Sequence, residues 1–423
     1  MQRSDTFCSV PWFEVHINAD GTYHTCGAQP NHMTGSDLAK TYCVQNMTIE
    51  QWMDSQWQRR SRLDKLNGHA NNLCNMCYHE EAMGSSSKRH RENLKSGIAG
   101  DDFSRTWSIS PDRSWFEYSL EHDGESRYPN PTSYHLSLGN ECNLACRMCG
   151  PAYSSRIAAE MKQAGHWIGP ARLNWTDDDR AWARVVDTMC ATRDLQWVHV
   201  IGGEPMMNPR FHDLIRRLLD AGLTDIYFGF TTNGMLFDQD IMRALSRFRH
   251  VDIGVSVECM GPLNDAIRRG SDYQQVLHNL ERYAAFRVPG RVYVTLRTVP
   301  SALSVHTLDQ LYAWCLDREI DVMSNMLTQP EHMAIQHLPR RIKDRLLAQY
   351  GRWAFAQQAK TEGDPRDPTR YRQHIDQEIR AIQQALASPG DPVMTDMLYR
   401  DLDRWGWLQS SPLCYYFLEL DDQ

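Results

Sequence analysis

Three cysteines, Cys142, Cys146 and Cys149, stand in a Cys-x3-Cys-x2-Cys run between a short β-rich stretch, 133–138, and a helical one, 153–164. Three thiolates on one loop can hold three irons of a 4Fe–4S cube and leave the fourth iron open. An open iron is what a cluster needs if it is to bind and reduce something. Zinc sites usually take four protein ligands in two pairs, a pattern this run does not make. The bland alternative is three unconnected buried cysteines.

The chain around this loop has a regular rhythm. Short β-rich runs at 133–138, 197–201, 226–231, 251–257, 291–299 and 321–327 alternate with helical candidates at 153–164, 178–192, 208–221, 238–248 and 272–286. Six strands with helices between them predict parallel βα units, an α/β fold closing as an open or partial barrel. The cysteine triad follows the first strand. Barrel enzymes build their sites at the C-terminal strand ends. Those ends carry Gly202-Gly203-Glu204-Pro205, Thr231-Thr232-Asn233-Gly234, Ser256-Val257-Glu258 and Arg297.

At these residues the chain resembles the radical S-adenosylmethionine (SAM) superfamily. That family's signature is this cysteine triad after the first strand of a partial (βα)6 TIM-like barrel. One departure is Met148, where the family usually has an aromatic residue; a thioether can pack on an adenine face in its place. Gly202-Gly203-Glu204-Pro205 resembles the family's GGEP motif. There Gly202 and Gly203 would expose backbone groups to the SAM amino acid moiety, and Glu204 would accept from its ammonium. Asn233, Ser256 and Glu258 are further candidate SAM contacts. Arg297 is a candidate partner for the SAM carboxylate, with a structural ion pair as the competing reading.

A second cysteine set lies near the start: Cys8, Cys26 five residues after Gly21, then Cys74-Asn75-Met76-Cys77. Asp20-Gly21 between alternating runs predicts a hairpin. Together with Pro11-Trp12 and Ile49-Glu50-Gln51-Trp52-Met53, the set resembles the auxiliary cluster domain called SPASM or twitch. In most relatives that domain follows the barrel; here it comes first. No cysteine occurs between 77 and 142, so the resemblance implies one auxiliary 4Fe–4S cluster on Cys8, Cys26, Cys74 and Cys77. A structural zinc site on the same thiolates is the alternative. Cys43, a candidate substitute ligand of this set, and the other single cysteines, with Cys259 a candidate hydrogen-atom donor, read in the first place as buried small apolar residues.

The resulting division is an auxiliary domain over 1–84, a linker or insertion over 85–132, the radical SAM barrel over 133–330 and a mainly helical extension over 331–423. Trp405-Gly406-Trp407 and Tyr415-Tyr416-Phe417 in that extension are candidates to cap the barrel or bind substrate, and 413–420 has a strand-like pattern. Apolar content of 41% and charged content of 23% are those of an ordinary globular protein. Twelve cysteines without a secretory leader point to metal or cluster ligation in a reducing, cytoplasmic setting. No stretch approaches the ~18 apolar residues of a membrane span.

The resemblance implies reductive cleavage of SAM by an electron from flavodoxin or ferredoxin, then hydrogen abstraction from an amino-acid-like carbon of a peptide or small molecule. An auxiliary cluster would suit an oxidation, a crosslink or a rearrangement. The early auxiliary domain and the Cys-Asn-x2-Cys-Arg-Met-Cys wording also resemble proteins of bacterial viruses. Some of those isomerise an amino acid attached to thymine in DNA, which is the second reading. A net charge of −8 gives no global sign of nucleic-acid binding. Locally, Ser87-Lys88-Arg89-His90-Arg91 and the basic residues at 340, 341, 343 and 345 could meet phosphates, against the plainer reading of solvated helix faces.

Overall fold

The computed structural model describes residues 6–29, 37–82, 86–95, 113–127, 130–361 and 369–410. Ten strands occur among them: β1 Glu14–Ile17, β2 Tyr23–His24, β3 Ser133–Ser137, β4 Ala145–Cys146, β5 Trp197–Ile201, β6 Tyr227–Thr232, β7 His250–Ser256, β8 Arg268–Arg269, β9 Val292–Thr298 and β10 Asp321–Ser324. Eight of them form one sheet in the order β10-β9-β7-β6-β5-β3-β1-β2. Every neighbouring pair from β1 to β10 is parallel, and only β2 runs antiparallel, on β1. This is the expected α/β partial barrel.

Alternation along the strands explains the two faces of the sheet. Val198 and Val200, Phe228 and Phe230, and Val251, Ile253 and Val255 are buried in the main core. Helices cover that face, among them Ser155–Gln163, Asp179–Ala191, Pro209–Asp220, Gln239–Leu245 and Tyr273–Ala284. Ser154, Asp178, Asn208, Asp238 and Asp272 each cap the following helix with a side-chain oxygen on its first free N–H groups. Each such cap contributes ~1 kcal/mol and fixes where the chain turns from strand to helix. The opposite alternates, His135, His199, Gly229, Asp252, Thr295 and Arg297, face the concave side.

The structure differs from the sequence expectation in three places. The N-terminal hairpin does not stand apart: β1 pairs in parallel with β3, Glu14 to Ser133 through Ile17 to Leu136, and so extends the barrel sheet. Within the stretch expected to be irregular, Arg113–Glu121 is a helix. Its Phe116 ring packs 5.2 Å from Phe7 and 5.0 Å from Trp12, closing a small separate core with Phe13 and Leu66. The last barrel strand ends at Ser324, three residues short of expectation.

The extension is helical where described: Arg340–Thr361, Thr369–Ala387, Pro392–Arg404 and Trp407–Ser410. Thr369–Ala387 lies on β10, where Ser324 N donates to Glu378 Oε1 at 3.2 Å. The strand-like stretch 413–420 and the aromatic run 415–417 lie outside the described residues. No described helix is long and apolar enough to cross a membrane.

Candidate functional site

The loop after β3 carries the cysteine triad and is held from three sides. Its β4 pairs antiparallel with β8, Cys146 opposite Arg268, and Arg147 N donates to Ile267 O at 2.8 Å. Ser154 Oγ donates to Leu144 O at 2.8 Å, tying the loop to the helix it precedes. Asn233, from the end of β6, donates to Asn143 Oδ1 at 2.7 Å and to Cys142 Sγ at 3.9 Å. Leu144 N also points at Cys142 Sγ, 3.4 Å away.

Burial pushes the Cys142 thiol up to about 11 and the Cys149 thiol up to about 12, and their neighbouring thiols act in the same direction. The Arg268 guanidinium beside Cys146 and Cys149 acts the other way. Three thiols that disfavour charge alone, but are met by N–H donors and a cation, suit thiolates shared with an iron–sulfur cluster. Arg268 itself is bound to Glu258 at 2.7 Å.

The GGE segment performs a packing task the motif alone did not reveal. Gly203 has φ +52, and a Cβ there would lie 2.2 Å from Glu141 O; at Gly202, φ +85, a Cβ would meet Ser137 Oγ. Both glycines therefore let the end of β5 close against β3 and the triad loop. Glu204 is buried, with Oε1 accepting from Thr232 Oγ1 at 2.8 Å and Met206 N at 3.2 Å, and Oε2 from Asn233 N at 2.7 Å. Burial raises its carboxyl above the ordinary range, and these three donors oppose the shift.

Glu258 is likewise engaged, accepting from Val299 N at 2.8 Å besides its pair with Arg268. Ser256 stands level with Arg297 across β7 and β9. Arg297 is paired with Asp252 at 2.6 Å on the concave face, the geometry of the structural ion-pair reading.

The second cysteine set also comes together: Cys8, Cys26, Cys74 and Cys77 line one pocket with Lys65, Lys88 and Arg89. Ala28 N points at Cys26 Sγ, 3.2 Å away, and Lys65 Nζ lies 3.0 Å from Cys74 Sγ. Among the described residues no three His, Cys, Asp or Glu side chains are arranged to hold a single metal ion. Cys43 does not line the pocket; it is buried beside the isolated bridge Thr22–Cys43. Cys259 is buried in the core.

The basic segment at 87–91 is not a wholly solvated face. Lys88 Nζ is bound to Glu14 Oε1 at 2.5 Å, and Arg89 to Glu81, both largely out of solvent. Lys343 is turned inward as well, donating to the carbonyls of Gln336 and Ser388.

One feature escaped the sequence reading. Strand register places His24, His16, His135 and His199 side by side on four neighbouring strands. The His16 and His135 rings lie 4.9 Å apart and those of His135 and His199 5.2 Å apart. His16 Nε2 meets Asn18 Oδ1 at 2.7 Å, and Asn18 Nδ2 meets His24 Nε2 at 2.7 Å. Burial lowers His16 to about 4, so it is neutral near pH 7. The only sequence signal was a histidine in each of four strand runs, which becomes a row only once their pairing is known.

Residues 136–311 match the radical SAM superfamily. No curated protein matches the chain. Similar solved structures include anSMEcpe with bound AdoMet and a Cp18Cys peptide, at 16% identity and TM-score 0.38, covering 52% of this chain and 58% of that one. Another is Streptococcus suis SuiB bound to its precursor peptide SuiA, at 15% identity and TM-score 0.35, covering 68% and 60%. A third is TYW1 with a lysine–pyruvate adduct, at 15% identity and TM-score 0.27, covering 49% and 68%. The chain thus spans 58% and 60% of the first two structures' length.

Proposed function

We propose that the chain is a radical SAM enzyme, holding a 4Fe–4S cluster on Cys142, Cys146 and Cys149 and acting on an amino-acid-like carbon of a peptide or small molecule. The observation that carries this is the triad itself, on a loop at the C-terminal end of β3 and braced by Asn233, Ser154 and β8, within the matched segment 136–311. What such a cluster supplies when bound is the electron that breaks the SAM sulfonium, giving methionine and a hydrogen-abstracting 5′-deoxyadenosyl radical. A one-electron reductant such as flavodoxin or ferredoxin would provide that electron.

The chain's own residues position and seal. Gly202 and Gly203 bring β5 against the cluster loop, and Glu204 locks the β6 end to the same place. The four thiols of Cys8, Cys26, Cys74 and Cys77 support an auxiliary cluster near the other end of the barrel, where β1 starts. Lys88 and Arg89, bound to Glu14 and Glu81, add little to the DNA-modifying reading, whose remaining basic residues are Arg91, Arg340, Arg341 and Arg345.

The test is anaerobic reconstitution followed by incubation with SAM and dithionite. 5′-Deoxyadenosine should form with wild type and fall to background in Cys146→Ala. Equal product from both proteins would refute the assignment. Salt-dependent binding of duplex DNA would move the substrate class to nucleic acid.

A further inference from the structure

We infer that Lys65 is the counter-charge of the four-thiol pocket, raising the reduction potential of the group held there and suiting it to accept an electron. The inference rests on reading Cys8, Cys26, Cys74 and Cys77 as cluster ligands.

Lys65 lies on the helix Gln56–Leu66 and is only 2% exposed. A buried ammonium needs compensation, ordinarily a carboxylate. Among the described residues Lys65 has none. Its ammonium lies 3.0 Å from Cys74 Sγ and 3.3 Å from Tyr78 Oη. The other two cations of the pocket differ: Lys88 is neutralised by Glu14 and Arg89 by Glu81. Lys65 therefore brings an uncompensated positive charge to the four sulfurs.

That charge sets a direction. Adding an electron to a cluster on four thiolates makes an anionic group more negative, and the buried apolar side chains of Val10 and Pro11 in the pocket wall resist this. A cation hydrogen-bonded to a ligand sulfur opposes the resistance, since hydrogen bonds to sulfur and local charge set cluster potentials. Lys65 does both through one contact, at Cys74.

The experiment uses the full chain carrying Cys142→Ala, Cys146→Ala and Cys149→Ala, so that only the N-terminal group is present. Iron is counted after anaerobic reconstitution, and the midpoint is read by an EPR-monitored redox titration. In Lys65→Met the midpoint should move negative with iron content kept, while Lys65→Arg stays near the parent. Should Lys65→Met and Lys65→Gln both lose iron, retention of iron and midpoint in Lys65→Arg would still support the counter-charge role. An unchanged midpoint in iron-loaded Lys65→Met, or an Arg variant as disturbed as the Met one, would overturn it. Zinc in place of iron in the parent would overturn the cluster reading beneath it, an outcome distinct from any Lys65 effect.

Discussion

Arg147, between the second and third cysteines of the triad, lies with its guanidinium carbon 4.1 Å over the Trp405 ring and 5.3 Å from that of Trp407. The C-terminal extension thus sits directly on the cysteine-triad loop. Burial lowers the Arg147 pKa to about 10, and the nearby Arg269 guanidinium acts in the same direction. Trp405→Ala should cost ~1–2 kcal/mol, the size of a partly desolvated cation–π contact. It should also speed bleaching of the reconstituted cluster's visible absorbance in air. Urea titration and timed spectra check both; unchanged bleaching would separate the extension from cluster protection.

Gly203 and Gly165 form a matched pair for testing the role of close approach. Both have positive φ, +52 and +76, but a Cβ at Gly203 meets the Glu141 carbonyl at 2.2 Å, and at Gly165 it meets nothing within 4 Å. Gly165→Ala should cost only the ~1 kcal/mol of an unfavourable backbone conformation. Gly203→Ala should displace the cluster loop as well, so iron per chain after reconstitution falls well below wild type. Equal iron in the two variants would show that the loop tolerates the shift.

What the sequence revealed and what it hid divide along physical lines. The six barrel strands were legible because alternation and capping residues such as Asp178, Asn208 and Asp272 are local signals. The placement of the triad on one loop after β3 was legible because its close spacing is a local signal. The pairing of β1 with β3 was not, since it joins residues more than a hundred positions apart through strands too short to announce a partner. For the same reason the row of His24, His16, His135 and His199 could not be read, and neither could the contact of Lys65 with Cys74. Helix Arg113–Glu121 was masked by its polar surroundings, although Trp115 and Phe116 are what it buries.

His16 predicts acid sensitivity. Its folded pKa, about 4, lies below the ordinary 6.5, so the unfolded chain binds more protons between those values. Its contribution to stability is therefore lost as pH falls from about 6.5 toward 4, by up to ~3 kcal/mol at about 1.36 kcal/mol for each pH unit of that window. His16→Gln, which removes the titration, should show a smaller loss of urea midpoint between pH 7 and pH 4.5 than wild type. An identical pH dependence would mean that His16 stays protonation-silent or is accessible in the folded state.

Glu378 acts in the opposite sense, against the edge strand β10. Burial raises its carboxyl to about 7, while the hydrogen bond from Ser324 N at the end of β10 partly opposes the rise. The folded chain then binds more protons than the unfolded one between about 4.5 and 7, so stability declines as pH rises through that window. Glu378→Gln keeps an oxygen to accept from Ser324 and removes the half-buried charge. The variant should match wild type near pH 4 and exceed it by ~1–3 kcal/mol at pH 8, the same proton linkage taken across this window. Thermal melts at the two pH values measure the difference, and a variant less stable than wild type at pH 8 would mean that the carboxylate is stabilising where it sits.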